Sequence, residues 1–117
     1  SPKYFYDHKA VQEKGANGKM RNRRTVWPIP KAQSKTVHTA VFPERLVEVC
    51  LLAGSREGDL VLDVFSGSGT TGVVAVQNNR RYLGVELNED YCRISEERIK
   101  EAVPALRQER LPFNGGR

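Results

Sequence analysis

The chain has 117 residues, 38% hydrophobic and 28% charged, which fits one small soluble domain or part of one and excludes the disordered and membrane classes. No apolar run approaches the ~20 residues of a membrane span, and Cys50 and Cys92 lack the close spacing of a zinc site or disulfide framework, so a soluble cytoplasmic protein is expected. The net charge of +5 is uneven: residues 1–37 carry nine Lys or Arg against two acids, a net +7, and the rest of the chain carries −2.

Residues 1–37 show little periodicity, contain Gly15, Gly18, Pro2, Pro28 and Pro30, and read mostly as loop around the turn pair Asn17-Gly18. Their clustered cations suit a polyanion, since phosphates neutralised by Lys and Arg release counterions; a solvated basic arm has the same composition. Tyr4, Phe5, Tyr6 and Trp27 fit either base stacking or, more simply, anchoring of a long loop on a neighbouring core.

From Phe42 the pattern sharpens. Pro43 fits a first helical turn, and Leu46, Val49, Cys50 and Ala53 fall at helical spacing before Gly54. Leu60-Val61-Leu62 then reads as a short buried strand ending on Asp63. A glycine-containing loop, Phe65 to Gly69, leads into a helix starting near Thr70 and carrying Val73 to Val76. Tyr82 to Val85 forms the next strand, with Glu86 at its end. Asn88 is a good N-cap for a last helix striped by Tyr91, Ile94, Ile99, Ala102 and Val103 and broken at Pro104. Alternation of this kind predicts an α/β fold with parallel strands and flanking helices. It divides the chain into a basic loop-rich segment (1–37), an α/β unit (38–103) and a flexible tail (104–117).

The chemistry concentrates in Asp63-Val64-Phe65-Ser66-Gly67-Ser68-Gly69-Thr70-Thr71. A strand runs into a turn where Gly67 and Gly69 permit unusual dihedrals and close approach of a ligand, and the helix that follows aims free amides at the same crevice. Asp63 attracts a cation, and Glu86 stands where a carboxylate accepts both hydroxyls of a ribose. These groups together fit a nucleoside bearing an amino-acid tail. Gly67 to Gly72 also spells the dinucleotide pattern GxGxxG. The acid that ends the first strand would repel a pyrophosphate, however, and the absence of a lysine after the glycines disfavours a P-loop.

This motif resembles the Asp-Pro-Phe-x-Gly-Ser-Gly-Thr-Thr element of the circularly permuted DNA amino-methyltransferases, with Val64 in place of the proline. His38-Thr39-Ala40-Val41-Phe42-Pro43-Glu44-Arg45-Leu46 is similar to that family's His-x-Ala-x-Phe-Pro-x-x-Leu segment. Gly84-Val85-Glu86-Leu87-Asn88-Glu89-Asp90-Tyr91 is similar to its Gly-x-Glu-x-x-x-x-Tyr element, and Asn22 to Trp27 to its Asn-Lys-Arg-Ser-Val-Trp stretch. The resemblance implies a partial Rossmann-like methyltransferase fold. It implies S-adenosyl-L-methionine as cofactor, held by His38, Phe42, Asp63, Phe65, Gly67, Ser68, Gly69, Thr70, Thr71, Glu86 and Leu87. DNA is the implied partner, met by Lys19, Arg21, Arg23 and Arg24, and the reaction is methylation of an exocyclic amino group of adenine (N6) or cytosine (N4).

The family's catalytic Asp/Ser-Pro-Pro-aromatic tetrapeptide, which binds the target amino group and stacks on an extruded base, does not occur in this sequence. The nearest stretch, Ser1-Pro2-Lys3-Tyr4, has Lys3 where the second proline belongs. A chain inactive alone is therefore expected, a fragment or one half of a split enzyme that docks with a polypeptide carrying the tetrapeptide. The competing readings are a non-catalytic subunit that binds S-adenosylmethionine or DNA, and a dinucleotide-binding oxidoreductase fragment.

Overall fold

The computed structural model describes residues 3–32 and 41–104. Two very short strands, β1 (Glu13–Lys14) and β2 (Met20–Arg21), pair antiparallel with Glu13 opposite Arg21 and Lys14 opposite Met20. The basic segment read as loop thus contains a hairpin. Its turn uses the expected residues: Gly18 takes φ 76°, the Asn17 side chain accepts from the Lys19 amide, and the Gly15 amide donates to the Lys19 carbonyl at 2.9 Å. Ahead of the hairpin the chain lies on the α/β unit. The Asp7 amide donates to the Ala53 carbonyl at 2.9 Å, the Phe5 ring packs under the Arg56 guanidinium at 4.1 Å, and Val11 is buried. Phe5 therefore anchors, whereas Tyr4 and Tyr6 are exposed.

The α/β unit runs α1 (Glu44–Gly54), β3 (Leu60–Asp63), α2 (Thr70–Gln77), β4 (Arg81–Gly84) and α3 (Glu89–Ala102). Strands β3 and β4 are parallel neighbours, with Val61 beside Tyr82, Leu62 beside Leu83 and Asp63 beside Gly84. The predicted order and parallel pairing are both present. Helix α2 occupies the centre, packed on both strands, on α1 and on α3. Every residue from Gly72 to Val76 is buried, so this helix is apolar on all sides and packing overrides the weak helix propensity of its valines. Its Val74 and Ala75 form the core with Leu51, joined by Val47, Leu52, Val61 and Tyr82.

Three details differ from the sequence-based expectation. In α1 the inward residues are Val47, Val49 and Leu51, while Cys50 and Leu46 are exposed, because α1 meets the core along a face rotated from the predicted one. In α3, Ile94 is exposed and the buried position is Ser95. Most telling, β3 is not a buried strand: Leu60 and Leu62 are 54% and 59% exposed, and Leu83 of β4 is 53% exposed. Side chains alternate along a strand, so Val61 and Tyr82 face α2 while Leu60, Leu62 and Leu83 line the opposite face. Val64 and Val85, just past the strand ends, are also half-exposed, and this apolar face has no covering layer among the described residues.

Arg80, just before β4, carries no signal in the sequence that sets it apart from a solvated charge. It is buried and has no carboxylate partner among the described residues: its guanidinium donates to the Ser55 hydroxyl (3.1 Å), the Ser55 carbonyl (2.8 Å) and the Asn78 carbonyl (2.7 Å). It thereby ties the end of α2 to the end of α1, away from the strands' carboxyl ends.

Candidate cofactor site

Parallel pairing brings the carboxyl ends of β3 and β4 side by side, the usual place for a ligand crevice in an open α/β sheet. Beyond β3 the chain turns at once, with the Asp63 carboxylate accepting from the Phe65 amide at 3.0 Å. The Ser66 amide then donates to the Val85 carbonyl and the Val85 amide to the Asp63 carbonyl, lacing the two strand ends together. The Ser66 hydroxyl meets the Tyr82 hydroxyl at 2.8 Å. Burial raises the Tyr82 phenol above its ordinary value, partly offset by the Ser66 bond and reinforced by the Asp63 charge, so Tyr82 stays neutral beneath the loop.

The two loops after the strands are joined by one carboxylate. Glu86 accepts from the Gly67 amide at 2.7 Å through one oxygen and from the Asn88 amide at 3.0 Å through the other. These backbone donors, that of Asn88 first, hold its carboxyl below the ordinary range. A carboxylate has about four lone-pair sites, so both oxygens retain capacity for hydroxyl donors. Asn88 in turn caps α3, its side chain accepting from the amides of Asp90 and Tyr91.

The glycines of the loop do different work. Gly67 has φ 53°, and a Cβ there would meet nothing nearer than the Phe65 carbonyl at 4.0 Å. Gly69 has φ 83°, and a Cβ there would lie 2.5 Å from the Ser95 hydroxyl and 3.1 Å from the Ser95 Cα. Gly69 therefore also lets α3 pack against the loop. Gly84 likewise leaves room for the Ser66 and Tyr82 hydroxyls, 2.7 and 2.8 Å from its would-be Cβ.

Asp63 thus ends β3, Phe65, Gly67, Ser68, Gly69, Thr70 and Thr71 sit on the β3–α2 loop and the first turn of α2, and Glu86 and Leu87 on the β4–α3 loop, which the Gly67–Glu86 bond brings together. Phe65 is 87% exposed and Leu87 99% exposed, so neither is a core residue. Thr70 is buried, and Ser68 is turned toward α3, where the Arg98 guanidinium holds its carbonyl and hydroxyl. Phe42 is exposed one residue ahead of Pro43, the cap of α1, and His38 lies outside the described residues.

The hairpin region carries the basic candidates. Arg21 and Arg23 both face Glu13, at 2.9 and 3.8 Å, and Arg23 also donates to the Val11 carbonyl at 3.0 Å and stacks on Trp27. Lys19 and Arg24 form no ion pair among the described residues. Sequence reasoning missed the loop's supports, Ser66, Tyr82, Ser95 and Arg98. The available signal was polar Ser95 and Arg98 placed, at i, i+3 spacing, beside Ile99 on the helix face that turns inward.

A glycine loop between parallel strand and helix, gripped by a carboxylate after the next strand, defines a Rossmann-like S-adenosylmethionine-dependent methyltransferase fold. The chain belongs to the N6/N4 DNA methylase family, whose model matches residues 1–97. It is 47% identical over 100 residues to the type II methyltransferase M.Cfr9I of Citrobacter freundii, covering 86% of this chain and 33% of that protein. It is 48% identical over 99 residues to M.SmaI of Serratia marcescens, covering 83% and 34%. Among solved structures it resembles TTHA0409 of Thermus thermophilus, complexed with S-adenosyl-L-methionine, at 44% identity and TM-score 0.52 over 55% of this chain and 26% of that one. The chain spans about a third of the length of the curated relatives it matches. No helix among the described residues is long and apolar enough to cross a membrane.

Proposed function

We propose that this chain forms the cofactor-holding part of a DNA methyltransferase that moves a methyl group from S-adenosyl-L-methionine to an exocyclic amino group of adenine or cytosine. The observation that carries this reading is the Glu86 carboxylate bridging the Gly67 and Asn88 amides at the carboxyl ends of two parallel strands. In it Glu86 accepts the ribose hydroxyls, Phe65 and Leu87 offer exposed apolar surface to the adenine, and the loop from Gly67 to Thr71 holds the methionine end. Asp63 draws the aminoacyl ammonium, and His38 and Phe42 cover the site from the segment before α1. The cofactor supplies an electrophilic methyl on sulfur; this chain's residues bind and orient it.

The target base is bound elsewhere in this reading, because the sequence has no Asp/Ser-Pro-Pro-aromatic tetrapeptide. The chain is inactive by itself and acts with that motif, supplied either by an amino-terminal half of the same protein or by a complementary polypeptide. The bare face of Leu60, Leu62, Val64, Leu83 and Val85 supports such a complement, since an exposed contiguous apolar surface of this kind marks an interface.

DNA lies against the basic segment, 1–37. There Lys19 and Arg24 contact phosphates, while Arg21 and Arg23 act chiefly by shaping the hairpin around Glu13. Accordingly, Lys19→Ala with Arg24→Ala flattens the log–log salt dependence of duplex binding by roughly 2, at about 0.9 for each phosphate no longer neutralised. Fluorescence anisotropy between low and moderate salt measures it, and an unchanged slope removes these two residues from the interface.

Isothermal calorimetry of the chain with S-adenosylhomocysteine and with NAD tests the cofactor assignment. Heat is expected with the first ligand alone. Binding of NAD in preference makes the site a dinucleotide site and overturns the methyltransferase reading.

A further inference from the structure

We infer that Arg98 is a positioning residue for the cofactor: from α3 it holds the β3–α2 loop in the shape that receives the amino-acid end of the ligand. This assignment rests on the S-adenosylmethionine reading above. Arg98 stands thirty residues from Ser68 in sequence, yet one of its terminal nitrogens lies 2.6 Å from the Ser68 carbonyl oxygen, 2.9 Å from the Ser68 hydroxyl and 3.5 Å from the Thr70 hydroxyl. No carboxylate pairs with it among the described residues, so its charge acts on the loop's own oxygens, where charge-assisted hydrogen bonds are the stronger kind.

The consequence follows from peptide planarity. The Ser68 carbonyl and the Gly69 amide belong to one rigid plane. Arg98 fixes the first, and the Ser66 carbonyl, accepting from Gly69 at 2.9 Å, fixes the second. On the other side of Ser68 the Gly67 amide is held by Glu86. The loop is thus clamped from both flanks, by an anion on the ribose side and a cation on the α3 side. Between the clamps the Ser68 amide has no hydrogen-bond partner among the described residues. It sits just ahead of the free first-turn amides of α2, a place suited to an aminoacyl carboxylate. The Ser68 amide itself lies in the Gly67–Ser68 plane, between these two held planes; without Arg98 only the Gly69–Ser66 bond holds its α3 side, and that donor is less firmly placed before the ligand arrives.

The test compares two ligands that share adenosine and differ in the tail: S-adenosylhomocysteine, and 5′-methylthioadenosine, which lacks the amino-acid carboxylate and ammonium. Calorimetry is run on the full chain and on Arg98→Met and Arg98→Lys, with the melting temperature of each recorded. The expected result for Arg98→Met is an affinity loss for S-adenosylhomocysteine of about 10-fold, the scale of one hydrogen bond to a charged group, with methylthioadenosine within about twofold of the wild type. Arg98→Lys, which keeps the charge, falls between wild type and Arg98→Met with S-adenosylhomocysteine. Equal losses for both ligands reduce Arg98 to a brace for the fold and overturn the assignment, as does unchanged affinity for both. Should the unaltered chain bind neither ligand, the cofactor reading fails and Arg98 with it; binding by the wild type with no selective loss in the variants sinks only the Arg98 inference.

Discussion

Gly69→Ala strongly destabilises the chain, while Gly67→Ala leaves it folded. The two glycines are two residues apart, both have positive φ, and the motif treats them alike, yet their surroundings differ. At Gly67 the added methyl enters open space, and the cost is that of a left-handed alanine, about 1 kcal/mol. At Gly69 the same dihedral cost is joined by a collision with α3. The new Cβ would lie 2.9 Å from the Ser95 Cβ and 3.1 Å from its Cα, atoms that move only if the helix moves. Overpacking of that kind adds ~1–3 kcal/mol, bringing the total to about 2–5 kcal/mol. A small unit with one half-exposed apolar sheet face has little stability to lose. Urea denaturation followed by circular dichroism gives the comparison directly. Equal midpoints for the two variants would show that α3 does not press on the loop. Because Gly67→Ala stays folded, it also reports on the ligand, and a fall in S-adenosylhomocysteine affinity with little change in midpoint is the expected pairing.

The second large effect is at Glu86. Glu86→Ala removes the acceptor assigned to the ribose and the link between the two loops, so S-adenosylhomocysteine affinity drops roughly 10- to 100-fold, as expected for losing hydrogen bonds to a charged group. The Gly67 and Asn88 amides left behind are near water, so the fold is retained. Acid provides an independent check. The carboxyl of Glu86 is depressed in the folded chain, chiefly by the Asn88 and Gly67 amides, relative to its ordinary value of 4.5. A depressed carboxylate contributes stability that is complete above the ordinary value and is lost as pH falls through the folded one. The wild type therefore keeps the loop link, and its affinity, down to pH 4.5 and loses both only in stronger acid. Glu86→Gln binds more weakly throughout and lacks this acid limb. Calorimetry of the two proteins across that range decides it, and parallel profiles would place the titrating group elsewhere.

The order of elements in the α/β unit, the parallel pairing, the loop after β3 and the acid after β4 were legible in the sequence, because each rests on neighbours in the chain. Glycines mark a turn, an aliphatic run ending in an acid marks a strand end, and Asn88 marks a helix start. The same local signals carried the likeness to the methylase family across most of residues 20–103. The hairpin in the basic segment was harder to see, since its strands are two residues long and carry no alternation to read.

What tertiary structure alone decided is which side of each element faces inward and who holds whom. Leu60 and Leu62 look as buried as Val61 until β3 is found, among the described residues, to be packed on one face only. That Gly69 also makes room for α3 shows only once the helix is seen against it. Arg23 looks like a free cation until it is seen against Glu13, Val11 and Trp27. Arg80 and Arg98 look like solvated charges until their partners arrive from 25 and 30 residues away. Local propensity depends on a few adjacent residues and can be read from the chain, whereas burial and hydrogen-bond partnership depend on surfaces that meet only after folding.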